Sequence, residues 1–116
     1  MKLKLKKGNK TIASSVEFLD TTLGRGIGIM FRSSGNVLLV AKNENTIETA
    51  IHTFFCRPLL VAWINSEHKV VAVKKTIPFW FYSSPKPAKY VFETTNLKTK
   101  LSPGDRVRFI AEKTNA

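Results

Sequence analysis

Residues 51–75, IHTFFCRPLLVAWINSEHKVVAVKK, contain two long apolar runs separated by one short polar turn. Ile51 to Phe55 is broken at Arg57-Pro58, and Leu59 to Ile64 follows as a continuous apolar run of strand length. Proline cannot donate to a sheet ladder, so Pro58 is expected at a bend, an edge or a bulge. Asn65-Ser66-Glu67-His68 supplies turn chemistry, and Val70 to Lys75 returns as the hairpin partner. The rest of the chain reads as what encloses this pair.

Before the hairpin, Lys2-Leu3-Lys4-Leu5-Lys6 alternates with period two, which places the leucines on one face of a strand and the lysines on the other. Gly8-Asn9 marks a turn, and Thr11 to Phe18 reads as a second strand. Asp20-Thr21-Thr22 offers oxygens that can cap a helix, and Leu23, Ile27 and Met30 follow at helical spacing, so one short helix is expected near residues 20–30. Gly24, Gly26 and Gly28 weaken it. Ser33-Ser34-Gly35-Asn36 makes a turn into a buried strand, Val37 to Ala41.

After the hairpin, Phe79-Trp80-Phe81-Tyr82 is either a hydrophobic flap over one end of the core or a stacking platform for unpaired bases. Lys89 to Thr94 is a strand, Leu101 to Asp105 a turn, and Arg106 to Ala111 a last strand. Asp105 is expected to hydrogen-bond backbone N–H groups and fix its turn. The fold class is mostly β: one compact barrel-like or sandwich domain over residues 1–116, with about seven to eight short strands and one short helix.

A chain of 116 residues supports a single core. One cysteine, Cys56, excludes an internal disulfide and suits a reducing compartment. The charged N-terminus lacks the apolar segment of a signal peptide, and no apolar run is long enough to span a membrane. A cytoplasmic location is expected. The net charge of +11 is compatible with nucleic acid or anionic surfaces, and equally with a solvated basic exterior. A nucleic-acid interface would use Lys2, Lys4, Lys6, Arg106 and Arg108.

No catalytic set can be assembled. Gly24-Arg25-Gly26-Ile27-Gly28 has neither a Walker-type closing Lys-Ser/Thr nor a dinucleotide fingerprint. His52 and Cys56, four apart on an extended strand, would lie about 13 Å from each other, too far to share a metal or to act as base and nucleophile unless the chain bends sharply. No metal site and no cofactor are read. Glu48 and most other carboxylates occupy polar segments; Glu93, in a strand after Phe92, stands apart from them. The candidate ligand-binding residues are His52, Thr53, Arg57, Arg25 and Trp80, with a small molecule or a protein as the partner. A hydrolase or metal site around His52, using it with Cys56, Glu93 or Asp105, is a further alternative.

Several segments together resemble one family, the domain of unknown function 192, found in bacteria and archaea. Arg25, Gly28, Met30 and Arg32 match its Arg-x-x-Gly-Leu-Met-Phe-Arg segment. Ile51-His52-Thr53-Phe54-Phe55, Pro58 and Val61 to Asn65 are similar to its central signature. Lys69-Val70-Val71, Ala88 to Glu93 and Gly104 to Val107 follow in the family's order, so the resemblance covers about residues 11–110. It implies a barrel-like β fold and no established reaction. Two positions depart from the pattern: Leu60 stands where an acidic residue is usual, and Thr94-Thr95-Asn96 replaces a Leu-Pro-Ala-Gly segment.

Overall fold

A computed structural model describes residues 1–21, 24 and 27–112. The described residues form nine strands: β1 (Lys2–Lys7), β2 (Lys10–Leu19), β3 (Asn36–Asn45), β4 (Ile51–His52), β5 (Leu60–Ile64), β6 (Val70–Lys75), β7 (Phe81–Tyr82), β8 (Ala88–Thr94) and β9 (Arg108–Ala111). Seven make one sheet in the order β6-β5-β8-β3-β2-β1-β9, and β4 and β7 make a separate two-stranded ribbon. All neighbouring pairs in the large sheet are antiparallel except β2 and β3.

The expected hairpin is β5–β6, with Ala62 opposite Val73. Its turn is built as the residue types require: the Asn65 carboxamide oxygen accepts the N–H groups of Glu67 and Lys69, both at 3.0 Å. The two ends of the large sheet approach each other. Val70 donates to the Asp105 carbonyl at 2.8 Å, Val107 donates to the His68 carbonyl at 2.9 Å, and Lys69 bridges to Arg106. The sheet therefore curls into a half-barrel, and little of a bare edge is left on that side. Asp105 fixes its turn as expected: its carboxylate accepts the Ser102 N–H at 2.9 Å and pairs with Lys7 at 3.1 Å.

Curling divides the apolar residues between two cores. Leu3, Leu5, Val16, Leu38, Ala62, Ile64 and Phe92 fill the inner face. The opposite face of the central strands carries Val37, Leu39, Val61, Trp63 and Val91, and is covered by Ile29, Ile51, Cys56 and Leu59 from the connections. Both faces of β5 and β8 are thus buried, which explains the unbroken apolar run of β5.

A parallel pair needs a long crossover. The chain between β2 and β3 supplies it and lays Ile29 over the outer core. Thr21 caps the start of this segment, its hydroxyl accepting the Gly24 N–H at 3.0 Å, and Gly28 N–H donates to the Gly24 carbonyl at 2.8 Å in the manner of one helical turn. The remainder of the expected helix falls partly on residues outside those described.

Candidate functional site

The connection 46–59 is held down by the buried indole of Trp63, whose Nε1–H donates to the Thr49 carbonyl at 2.8 Å. The chain then runs through β4 and turns back on itself at 53–56, where Cys56 N–H donates to the Thr53 carbonyl at 3.2 Å and Phe55 adopts a φ of 58°. This sharp bend overturns the 13 Å separation expected of an extended strand. His52 and Cys56 line the same cavity, of about 170 Å³, together with Ile27, Ile29, Leu39, Glu48 and Glu93.

Glu93 reaches this cavity from β8, where it lies opposite Val37 on one side and Val61 on the other. Strand alternation puts it on the same face as Val91, among apolar neighbours. It is 3% exposed, and its carboxyl makes no hydrogen bond to a described residue. Burial without a partner penalises the charged form, and the Glu93 carboxyl is pushed up from 4.5 to about 8. At neutral pH it is therefore mostly a neutral acid, able to donate one hydrogen bond and accept another. Burial, helped by the negative charge Glu93 would carry, also pushes the Cys56 thiol up to about 11, so Cys56 is a thiol and not a nucleophilic thiolate.

His52 is half-buried, and its Nδ1 accepts the Phe54 N–H at 3.2 Å. Glu48 accepts the Lys42 N–H at 3.1 Å and the Asn45 carboxamide at 3.2 Å, which fixes its carboxylate at the cavity wall. No group of three His, Cys, Asp or Glu side chains among the described residues is placed to hold a metal ion.

The other ligand-binding candidates are dispersed. Thr53 is fully buried: its hydroxyl donates to the Ile77 carbonyl at 2.7 Å and accepts the Trp80 N–H at 2.9 Å, so it pins the 77–80 loop to β4. Arg57 and Trp80 are exposed and do not line the cavity, and Arg25 lies outside the described residues. The aromatics of 79–81 close no core, since Phe79, Trp80 and Phe81 are each more than half exposed.

Of the basic candidates, Lys4 pairs with Ile110 and Lys6 with Arg108 across β1 and β9. Directly paired residues share a face, so Lys4, Lys6 and Arg108 lie together on the side away from Leu3 and Leu5. Lys2 shares that face by alternation, whereas Arg106 sits at the bridge to Lys69.

Sequence reasoning set Glu93 apart and named it only as one possible partner of His52 in the hydrolase or metal alternative, not among the ligand-binding residues. The available signal was its phase, because in a strand of buried apolar residues it occupies a core-facing position. The two departures from the family pattern prove to be cross-strand partners, Leu60 opposite Thr94, and neither lines the cavity. Thr94 donates to the Asn36 carboxamide oxygen at 2.6 Å, and Thr95 accepts the Gly35 N–H at 3.0 Å, so this segment secures the 33–36 turn.

Comparison with known proteins bears on the family and the fold. A UPF0127 protein of Pyrococcus furiosus is 37% identical over 93 residues, spanning 78% of this chain and 79% of that protein. One from Pyrococcus abyssi is 34% identical over 100 residues, spanning 82% and 86%. Two solved structures share the fold. A protein of unknown function from Novosphingobium aromaticivorans has a TM-score of 0.79 at 14% identity, covering 93% of this chain and 84% of its own. A provisionally described transcription regulator from Sinorhizobium meliloti has a TM-score of 0.81 at 20% identity, covering 94% of each chain. The model of the uncharacterized family known as domain of unknown function 192 matches residues 3–109, more than nine-tenths of the length, and the chain belongs to that family.

Proposed function

We propose that this protein is a binding module which takes a small polar molecule into the cavity between His52, Cys56 and Glu93. The observation that carries the reading is the Glu93 carboxyl, buried, without a hydrogen-bond partner among the described residues, and facing open volume. An unpaired buried polar group costs roughly 1–3 kcal/mol, and a ligand that pairs with it recovers that cost. A neutral carboxylic acid is complemented by an acceptor and a donor side by side, as in a carboxamide, a lactam or the edge of a nucleobase. The volume of 170 Å³ equals about six water molecules, which limits the ligand to roughly ten non-hydrogen atoms. With the Cys56 thiol held protonated, the reading is one of binding and not of nucleophilic catalysis.

The test is a two-dimensional amide NMR titration with acetamide, 2-pyrrolidinone and uracil, with erythritol as a polyol control. Shifts confined to residues 27–29, 48–56 and 91–93 are expected for the amide-type probes, and they should vanish in Glu93→Leu. Saturating probe concentrations that leave those amides unmoved would sink the reading.

A second reading, general nucleic-acid binding, is favoured by the one-faced stripe of Lys2, Lys4, Lys6 and Arg108. Engagement of four cations gives a slope of about −3 to −4 for log affinity against log salt concentration. An electrophoretic mobility assay at low salt, with single- and double-stranded oligonucleotides, tests it. Unretarded mobility, or a slope unchanged in Lys4→Glu/Lys6→Glu, counts against it.

A further inference from the structure

One end of the molecule carries an unusual concentration of exposed rings. Phe31 stacks on Phe55 with centroids 4.9 Å apart, and Phe55 meets Phe79 edge-on at 5.7 Å. Phe79 continues to Phe54 at 6.1 Å, and Phe54 to Phe81 at 5.1 Å. Trp80 lies in the same loop, with Ile77 just before it. Apart from Phe54, each of these side chains is more than half exposed. With aromatic side chains contributing about 150–250 Å² each when bare, the patch offers on the order of 700 Å² of apolar surface, more than a typical monomer leaves open.

The patch is rigidly held. Phe31 donates its N–H to the Phe55 carbonyl at 2.9 Å, Thr53 donates to the Trp80 carbonyl at 2.9 Å, and Phe79 donates to the Thr53 carbonyl at 3.1 Å. It is also costly: Phe31, Phe55 and Phe79 have φ values of 64°, 58° and 61°. These left-handed conformations are disfavoured for a bulky residue. Strain that holds aromatic rings in water instead of in the core points to a surface use for them.

Charge indicates the partner. The two segments that build most of the patch, 49–66 and 68–82, contain no Asp or Glu. Arg57 follows Phe55 by two residues, and Lys74 and Lys75 precede Ile77 with only Thr76 between. All three cations are exposed, and none has a carboxylate partner among the described residues. A second copy of the chain is disfavoured because two surfaces of a protein with net charge +11 would be apposed. Base stacking is disfavoured because the rings already engage one another and stand on loops and the two-residue β7, not across an open sheet face. Exposed Phe, Trp and Ile, with exposed Arg57, Lys74 and Lys75 close by in the chain, suit an anionic lipid interface.

We propose that this aromatic end seats the protein on an anionic bilayer surface, the rings entering the interfacial layer while Arg57, Lys74 and Lys75 meet headgroup phosphates. The test uses the full chain with vesicles of phosphatidylcholine alone or mixed with phosphatidylglycerol, read by co-sedimentation and tryptophan emission. Trp63 is buried and silent to the bilayer, so a blue shift reports Trp80. Binding to the mixed vesicles, weakened by salt, with a blue shift, is the expected result. Trp80→Ser/Phe81→Ser, at exposed positions, should weaken partitioning roughly tenfold or more. Lys74→Glu/Lys75→Glu leaves the rings intact and should weaken binding to the mixed vesicles alone. Three results would overturn the proposal: no co-sedimentation with either vesicle; retardation of a single-stranded oligonucleotide that Trp80→Ser/Phe81→Ser abolishes while vesicles are ignored; or self-association in sedimentation equilibrium that the same variant dissolves.

Discussion

Replacing Glu93 by Gln keeps the shape of the side chain and removes its titration, which makes Glu93→Gln the most direct probe of the cavity. The folded-state value of about 8 lies above the usual 4.5. The folded protein therefore binds the Glu93 proton more tightly than the unfolded chain does. This contribution to stability is complete below pH 4.5 and is lost as the pH rises toward and through 8. Each pH unit in that window corresponds to about 1.4 kcal/mol. The wild-type protein should lose roughly 3 kcal/mol between pH 4.5 and pH 7, and on the order of 5 kcal/mol by pH 9. In Glu93→Gln this loss is absent. Other ionisable groups are common to both proteins and cancel in the difference, so urea denaturation of the pair at a series of pH values isolates Glu93. At pH 5 the two midpoints should nearly coincide. At pH 8 the variant should be the more stable, with a melting temperature higher by on the order of 10 °C. Parallel stability curves from pH 5 to pH 9 would refute the argument, because they would mean that Glu93 is ionised and well solvated in the folded state.

Three further outcomes check other parts of the structure. Trp63→Phe deletes the Nε1–H bond to the Thr49 carbonyl and opens space in the outer core; a loss of roughly 2–4 kcal/mol in urea denaturation is expected, with faster amide exchange through residues 46–52. Phe31→Gly relieves a φ of 64° at an exposed position and should leave the melting temperature unchanged or raise it by a few degrees, whereas a clear fall would show that the ring stack contributes more than the strain costs. The Asp105 carboxyl is held below its usual value, chiefly by the Ser102 N–H and further by Lys7. Its stabilisation is present above pH 3.8 and is lost as the pH falls through the lower folded value, so Asp105→Asn should flatten the acid limb of the stability curve, opposite in sign to Glu93.

The fold was largely legible where the signals are local. Alternation in Lys2–Lys7, the apolar run of Leu60–Ile64 and the Asn65 turn are satisfied within a few residues, and each forms as its residue types require. The crossover between β2 and β3 was partly legible too, in the Thr21 cap. The bend at 53–56 was not, because a left-handed φ is expected of Gly or Asn and here falls on Phe55. An extended reading therefore separated His52 from Cys56. The flap reading of the aromatic loop fails for a related reason: hydrophobicity argues for burial, and only the filled state of both cores leaves Phe79, Trp80 and Phe81 outside.

By itself, the order of residues determined that this chain makes short strands, where its main hairpin turns, and that its surface is strongly basic. The tertiary structure alone decided what Glu93 is. Its phase in β8 is a local property, but its burial depends on β3 and β5 flanking it and on the 46–59 connection closing over that face. Those elements come from sequence positions tens of residues apart, and the environment that protonates a carboxyl is created only when they meet. The stretch 51–75 thus contributes both the central hairpin and, through its bend, the wall that turns a gap in the outer core into a candidate site.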